Sequence, residues 1–405
     1  MAVGPSDLVV LQPIDGLRVG VASAGIKQTE RPDVVVFELA EGATTAGVFT
    51  KNAFCAAPVV IAKEHLALGQ PSYLLVNTGN ANAGTGEQGM SDAYACCDAL
   101  AKLVDVERTQ VLPFSTGVIG EPLPIEKIMP VLPQALENLA ADNWLAAASG
   151  IMTTDTRPKG SSISFEHEGQ RITLTGISKG SGMIKPNMAT MLGYVATDAK
   201  IAQPLLETLV RNAADKSFNR ITVDGDTSTN DACMLIATAA SGVEVTEEDA
   251  ALLSVFTQYL NGLMLEIAQQ IVRDGEGATK LVEVVCESAS TQQEALDVAY
   301  TVAHSPLVKT ALFASDANWG RILAAVGRAG VENLDINKLQ IFLDEVCIVE
   351  RGGRAEDYTE EAGSAVMAQE EICIRIALNR GQVAETVWTT DLSHDYVSIN
   401  ADYRS

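Results

Sequence analysis

The sequence predicts an α/β protein, a large body in which short strands alternate with amphipathic helices. Three observations carry that prediction. The chain has 405 residues, 47% hydrophobic and 20% charged, an ordinary make-up for a folded chain with ample core. Brief β-branched runs bounded by turns recur along it, separated by segments with apolar residues at helical spacing. No low-complexity linker divides it.

Composition narrows the function. A formal charge of −24 argues against nucleic acid and anionic membranes as partners. Small anionic substrates stay open, because they need only a few local cations. The opening MAVGPSDLVV has no charged segment followed by an apolar one, and no apolar run is read as long enough to span a bilayer, so a cytoplasmic location is expected. Seven cysteines (Cys55, Cys96, Cys97, Cys233, Cys286, Cys347 and Cys373) include no CxxC pair and mostly sit in apolar runs, which predicts buried reduced thiols. The four histidines, His65, His167, His304 and His394, are isolated. Neither a metal site nor a His-assisted nucleophile is supported, and no bound cofactor is expected. A nucleophile in this chain must find its base elsewhere.

In chain order, strands are expected at 34–37, 47–49, 58–61 and 73–76. Residues 77–89, NTGNANAGTGEQG, read as a long loop, and 91–104 as a helix with Ser91 at its N-cap. The loop matches neither GxGxxG nor the P-loop spacing, so backbone tolerance of positive φ competes with phosphate binding as its purpose. The run 111–114 leads into Ser115-Thr116-Gly117, where a hydroxyl and a freely oriented amide stand side by side. That pairing suits an oxyanion hole, although STG also occurs in many turns. A helix around 143–148 precedes IMTTDTRPK at 151–159, a cluster that reads equally as a hydroxyl-rich turn.

A strand at 169–177 then delivers the chain to KGSGMIKPNMATMLGYVATDA, residues 179–199. Its first half is a cluster of breakers and its second half, 191–197, a buried strand. Between them lies Ala189-Thr190. A hydroxyl residue there can attack the preceding carbonyl, shift the peptide to an ester and be freed with a new α-amine. That amine, with an ordinary pKa of about 7.7 to 8, serves as the hydroxyl's own base. A glycine loop feeding a core strand is the competing account of the same residues.

A helix at 204–218 and a strand at 221–223 lead into DGDTSTND, 224–231. A strand ending in DxDxT resembles the haloacid-dehalogenase-type phosphohydrolases, with Asp224 and Asp226 as the acidic pair that holds Mg²⁺. An EF-hand is excluded, since Leu235 stands where Glu is required. A long helix over 247–274 ends at Gly275-Glu276-Gly277, where the carboxylate reads either as a binding group or as solvated beside a helix stop. Helices at 291–304 and 319–329, and strands at 281–286, 341–343, 346–349, 372–377, 387–390 and 396–399, complete the chain before a short polar tail.

The ordered set KGSG, ATML, NxGNANA, STG, TTDT, GDTSTND, GEG and the NWGR run at 318–321 resembles the ornithine acetyltransferase (glutamate N-acetyltransferase, ArgJ) family of arginine biosynthesis. Ala317 stands where that family usually has Pro. The resemblance implies mixed β-sheets layered with helices, self-cleaved between Ala189 and Thr190 into an α chain, 1–189, and a β chain, 190–405, that form one body. It implies ping-pong acetyl transfer from N2-acetyl-L-ornithine to L-glutamate, with Thr190 as nucleophile and Thr116 and Gly117 as oxyanion donors. Thr153, Lys179, Thr190, Glu276, Asn400 and Ser405 are implied substrate-binding residues, Lys179 as a point charge for a carboxylate and Glu276 for an ammonium. Acetyl-CoA is a possible co-substrate, since some members are bifunctional. A heterotetramer of two α and two β chains is the implied assembly. A self-processing aminopeptidase of the same fold remains the other enzymatic reading, and the Mg²⁺-dependent phosphohydrolase a third.

Overall fold

The computed structural model describes residues 2–4, 10–27, 31–185 and 191–401. They form two compact units, one of Asp7–Asn219 and Asp226–Ile271, the other of Met1–Ser6, Arg220–Gly225 and Val272–Ser405.

The first of these holds two mixed sheets. One is ordered β1 (Leu17–Ala22), β2 (Val34–Leu39), β4 (Tyr73–Asn80) and β5 (Val111–Val118), with β4 and β5 parallel and the other pairs antiparallel. The other is ordered β3 (Thr44–Phe49), β10 (Ala232–Ala237), β8 (Leu192–Thr197), β7 (Gln170–Lys179) and β6 (Lys159–His167), with only β10 and β8 parallel. Two short strands, β9 (Lys200–Ile201) and β11 (Glu244–Val245), pair beside them.

Alternation explains the layering. Val34 and Val36 of β2 point into a cluster with Cys96, Cys97, Leu100 and Ala101 of the helix Gly86–Val104. Val35 and Phe37 point the other way, onto Leu192, Tyr194 and Ala196 of β8 and Met234 of β10. A strand buried on both faces has no polar register, which is why 34–37 reads as an unbroken apolar run. The opposite face of β7 is covered by the helix Ala250–Arg273, since Gly176 lies against Leu263 and Ile267. The order is therefore helix, sheet, sheet, helix, the layered α/β architecture expected from the sequence.

The helix Ala250–Arg273 corrects one expectation. By length and composition alone it is apolar enough to cross a membrane. Its apolar side chains Phe256, Leu260, Leu263, Met264 and Ile267 are, however, buried on one stripe. Gln270 donates to Gly160 O (3.1 Å) and accepts from Gly160 N (2.9 Å), while Ser161 donates to Glu266 (2.7 Å). Such polar clamps mark a core helix docked on β6.

The other unit is a six-stranded mixed sheet. Its order is β15 (Gly353–Arg354), β14 (Val346–Glu350), β13 (Gln340–Leu343), β16 (Glu371–Ala377), β12 (Leu281–Ala289) and β17 (Val383–Thr390). Val282, Val284 and Cys286 alternate inward onto Val298, Val302 and Leu312 of the helices Gln292–Ala303 and Pro306–Phe313. Thr291 and Ser305 cap those helices by accepting from Glu294 N and Val308 N.

Two predicted strands are helices. Residues 58–61 lie in Ala57–Leu68, with Pro58 in its first turn, where a missing N–H costs nothing. Residues 396–399 lie in His394–Ala401, whose Tyr396 N–H donates to Ser393 Oγ (3.3 Å). The helix expected from Ser91 starts at Gly86, so Ser91 lies inside it and caps nothing. The cysteines are free thiols, and burial pushes Cys96 and Cys233 up to about 12, where thiolate chemistry is suppressed.

Candidate active site

The predicted oxyanion pair sits at the end of β5, where β4 and β5 lose register at Gly79 and Asn80. Gly117 has φ +136°, and a Cβ there would fall 2.6 Å from Gly79 O, so the strands close only over glycine. Of the predicted loop 77–89, residues 77–80 belong to β4 and 86–89 to the helix Gly86–Val104, and its asparagines are bonded to backbone carbonyls. Asn77 donates to Asn80 O (2.9 Å), Asn80 to Pro122 O (3.0 Å) and Asn82 to Gly89 O (2.8 Å). Ser115 Oγ in turn donates to Asn77 Oδ1 (2.6 Å). These bonds decide the earlier choice in favour of a structural loop, one that fixes the approach to Thr116.

Lys179 and Thr116 meet directly. Both are buried, and Lys179 Nζ donates to Thr116 Oγ1 (3.2 Å). A hydroxyl that accepts from an ammonium keeps its own proton to donate elsewhere.

Sequence reasoning missed the group that anchors this corner. Asp155, within TTDT, is fully buried, pairs with Lys159 Nζ (2.6 Å) and accepts from Gly180 N (2.7 Å) and Thr153 N (2.9 Å). Burial alone would raise its pKa. Lys159, Lys179 and the Gly180 N–H outweigh that and hold the carboxyl well below its ordinary range. Thr153, the predicted substrate residue, is thus pinned through its N–H, with its hydroxyl 3.5 Å from the same carboxylate.

In the other unit, two predicted residues touch. Asn400 Nδ2 donates to Glu276 Oε2 (2.7 Å) and to Tyr396 O (3.0 Å). Gly277, at φ +70°, lies against the start of the helix His394–Ala401, where a Cβ would come within 2.6 Å of Tyr396 N. Ala189, Thr190 and Ser405 lie outside the described residues.

The metal-binding reading of Asp224 and Asp226 fails on geometry. Residues 221–223 form no strand but a single bridge from Ile221 to Trp388, so no strand end presents the acidic pair. Asp224 accepts from Tyr396 Oη (3.3 Å) and faces buried Lys309, whose amine burial pushes down to about 8. A lysine already supplies the positive charge that a metal would bring there. Among the described residues no group of acids, histidines or cysteines is placed to hold a metal ion.

A family model described as the ArgJ family matches residues 18–405. A protein from Pseudomonas syringae pv. tomato called arginine biosynthesis bifunctional protein ArgJ is 61% identical over 406 residues, covering 100% of both chains. One of the same name from Methylococcus capsulatus is 54% identical over 409 residues, again with 100% of both covered. Among solved structures, the arginine biosynthesis bifunctional protein ArgJ of Bacillus halodurans is 37% identical, covering 50% of this chain and 95% of that one, with a TM-score of 0.48.

Removing Asp155 tests the anchor. In Asp155→Asn the buried Lys159 loses its carboxylate partner, and stability at neutral pH falls by about 3–5 kcal/mol. The folded pKa of Asp155 is depressed, so this contribution is present above the ordinary value of 3.8 and is lost as pH falls below it. Unfolding curves of both proteins against pH should therefore converge in acid. A constant difference would contradict the assignment.

Proposed function

This chain belongs to the ArgJ family and is an acetyltransferase of arginine biosynthesis, and from that premise we propose its reaction and the residues that carry it. The acetyl group of N2-acetyl-L-ornithine passes to L-glutamate through an acetyl ester on Thr190. The observation that carries this reading is Lys179 Nζ seated on Thr116 Oγ1 beside the glycine-only turn at Gly117.

The chain first cuts itself between Ala189 and Thr190, giving fragments 1–189 and 190–405. The freed α-amine takes the Thr190 hydroxyl proton as Oγ attacks the acetyl carbon. Thr116 O–H and Gly117 N–H receive the tetrahedral oxyanion. As the C–N bond breaks, the ornithine nitrogen takes a proton from the Thr190 ammonium and leaves. Glutamate's amine then attacks the ester by the same steps in reverse, restoring the free threonine. Lys179 attracts the substrate carboxylate, Glu276 takes the substrate ammonium, and Asn400 holds the Glu276 carboxylate in place. Thr153 and Ser405 orient the remainder.

The ester makes acetyl-CoA unnecessary for this exchange. The word bifunctional in the names of both relatives supports acetyl-CoA as a second acetyl donor for the same threonine. We place the reaction in the cytoplasm, carried out by two cut heterodimers joined as a heterotetramer.

Thr190→Ala should give one uncut chain under denaturing conditions and no acetyl transfer, whereas the wild type gives two masses. Clean cutting in the variant would refute the mechanism. Glu276→Gln should still cut normally while losing roughly tenfold or more in kcat/KM for N2-acetyl-L-ornithine, the cost of one charge-assisted contact. Unchanged turnover would remove Glu276 from the site.

A further inference from the structure

The run Thr229-Asn230-Asp231 has no part in the mechanism above, yet it is buried against two of its components. Asn230 Nδ2 donates to two backbone carbonyls, Ala81 O (2.6 Å) and Ser115 O (2.9 Å). Its Oδ1 accepts from Thr229 Oγ1 (2.6 Å), which fixes which way the amide faces. Ser115 O belongs to the peptide unit that ends at Thr116 N. Holding it sets the plane from which the Thr116 side chain and the next peptide, ending at Gly117 N, depart.

Asp231 acts on the other side. Its backbone O accepts from Thr50 N (3.0 Å), and its carboxyl accepts from the Ser228 hydroxyl and from Met191 N–H. The next residue, Ala232, donates its N–H to Met191 O (2.9 Å). Residues 231 and 232 thus hold both polar backbone groups of Met191, where β8 and β10 begin their parallel pairing. Met191 follows Thr190 in the chain. One oxygen of Asp231, Oδ2, is buried without a hydrogen-bond partner among the described residues. Burial pushes this carboxyl well above the ordinary range, and Ser228 and Lys179 only partly offset it.

We propose that Asn230 and Asp231 are positioning residues for acetyl transfer: Asn230 aims the Thr116–Gly117 donors, and Asp231 holds Met191 in register with them. This rests on the reaction proposed above. Neither residue touches substrate. Their effect falls on the geometry of the transition state, so it appears in kcat and not in ground-state binding.

The experiment compares wild type, Asn230→Ala, Asp231→Ala and Asp231→Asn by unfolding midpoint, intact mass, and kcat and KM per cut chain. In Asn230→Ala and Asp231→Ala, kcat should fall about tenfold to a hundredfold with KM for N2-acetyl-L-ornithine within about threefold, short of the roughly 10²–10³-fold cost of deleting an oxyanion donor. Folded but uncut protein supports the proposal equally, because self-cutting needs the same register. Asp231→Asn keeps an oxygen for Met191 N–H and matches the carboxyl in shape, so it should retain kcat within about threefold. If Asn230→Ala does not fold, the two Asp231 variants decide the matter. The proposal is overturned if Asn230→Ala keeps wild-type kcat, if KM alone rises, or if Asp231→Asn falls as far as Asp231→Ala. A wild-type protein that transfers no acetyl overturns the reaction itself, and the proposal with it; wild-type transfer alongside undiminished Asn230→Ala overturns the proposal alone.

Discussion

Asp155 is a fully buried carboxylate that joins its own stretch, residues 153–159, to the KGSG turn 25 residues further on. It takes Lys159 Nζ at 2.6 Å, Gly180 N at 2.7 Å and Thr153 N at 2.9 Å, with Lys179 close enough to depress its pKa further. A charge at that depth is tolerable only with such a full set of partners. Because the partners are backbone groups and a cation, their geometry is dictated in turn. The TTDT turn, the start of β6 and the KGSG turn are locked to one point. The position of Lys179 on Thr116 follows from that lock, and the candidate oxyanion donors follow from Lys179.

The same region explains how a cut can be made without loss of structure. The sheet β3-β10-β8-β7-β6 takes β3, β6 and β7 from before residue 189 and β8 and β10 from after it. Lys179 pairs with Leu192, so the ends of β7 and β8 lie side by side, and breaking the twelve-residue link between them leaves every ladder hydrogen bond of the antiparallel pair in place. The buried faces of β2 and β8, with Phe37 against Tyr194 at 4.8 Å between ring centres, bind the two segments further.

Much of this was legible in the sequence, and the exceptions have physical causes. Strands buried on both faces, such as 34–37 and 192–197, announce themselves as continuous apolar runs. The helices 203–216 and 292–303 show their stripes equally plainly. Residues 58–61 and 396–399 read as strands because four residues are too few to show a period; Pro58 in a first turn and Ser393 at a cap are the better signals. Among the candidate site residues, Thr116, Gly117, Lys179 and Glu276 stand in short motifs whose chemistry is local. Asp155, Asn230 and Asp231 could not be assigned a role that way. Their meaning lies in partners 25 to more than 100 residues distant, such as Gly180 and Ser115.

The central claim is that the acetyl group rests on Thr190 between donor and acceptor. Incubating the purified protein with N2-acetyl-L-ornithine alone, quenching in acid and weighing the fragments tests it without depending on the acceptor half. The account predicts one added acetyl group on the fragment 190–405, located on its first residue and removed when L-glutamate is supplied. A fragment of unchanged mass, or an acetyl group carried by any other residue, would contradict it.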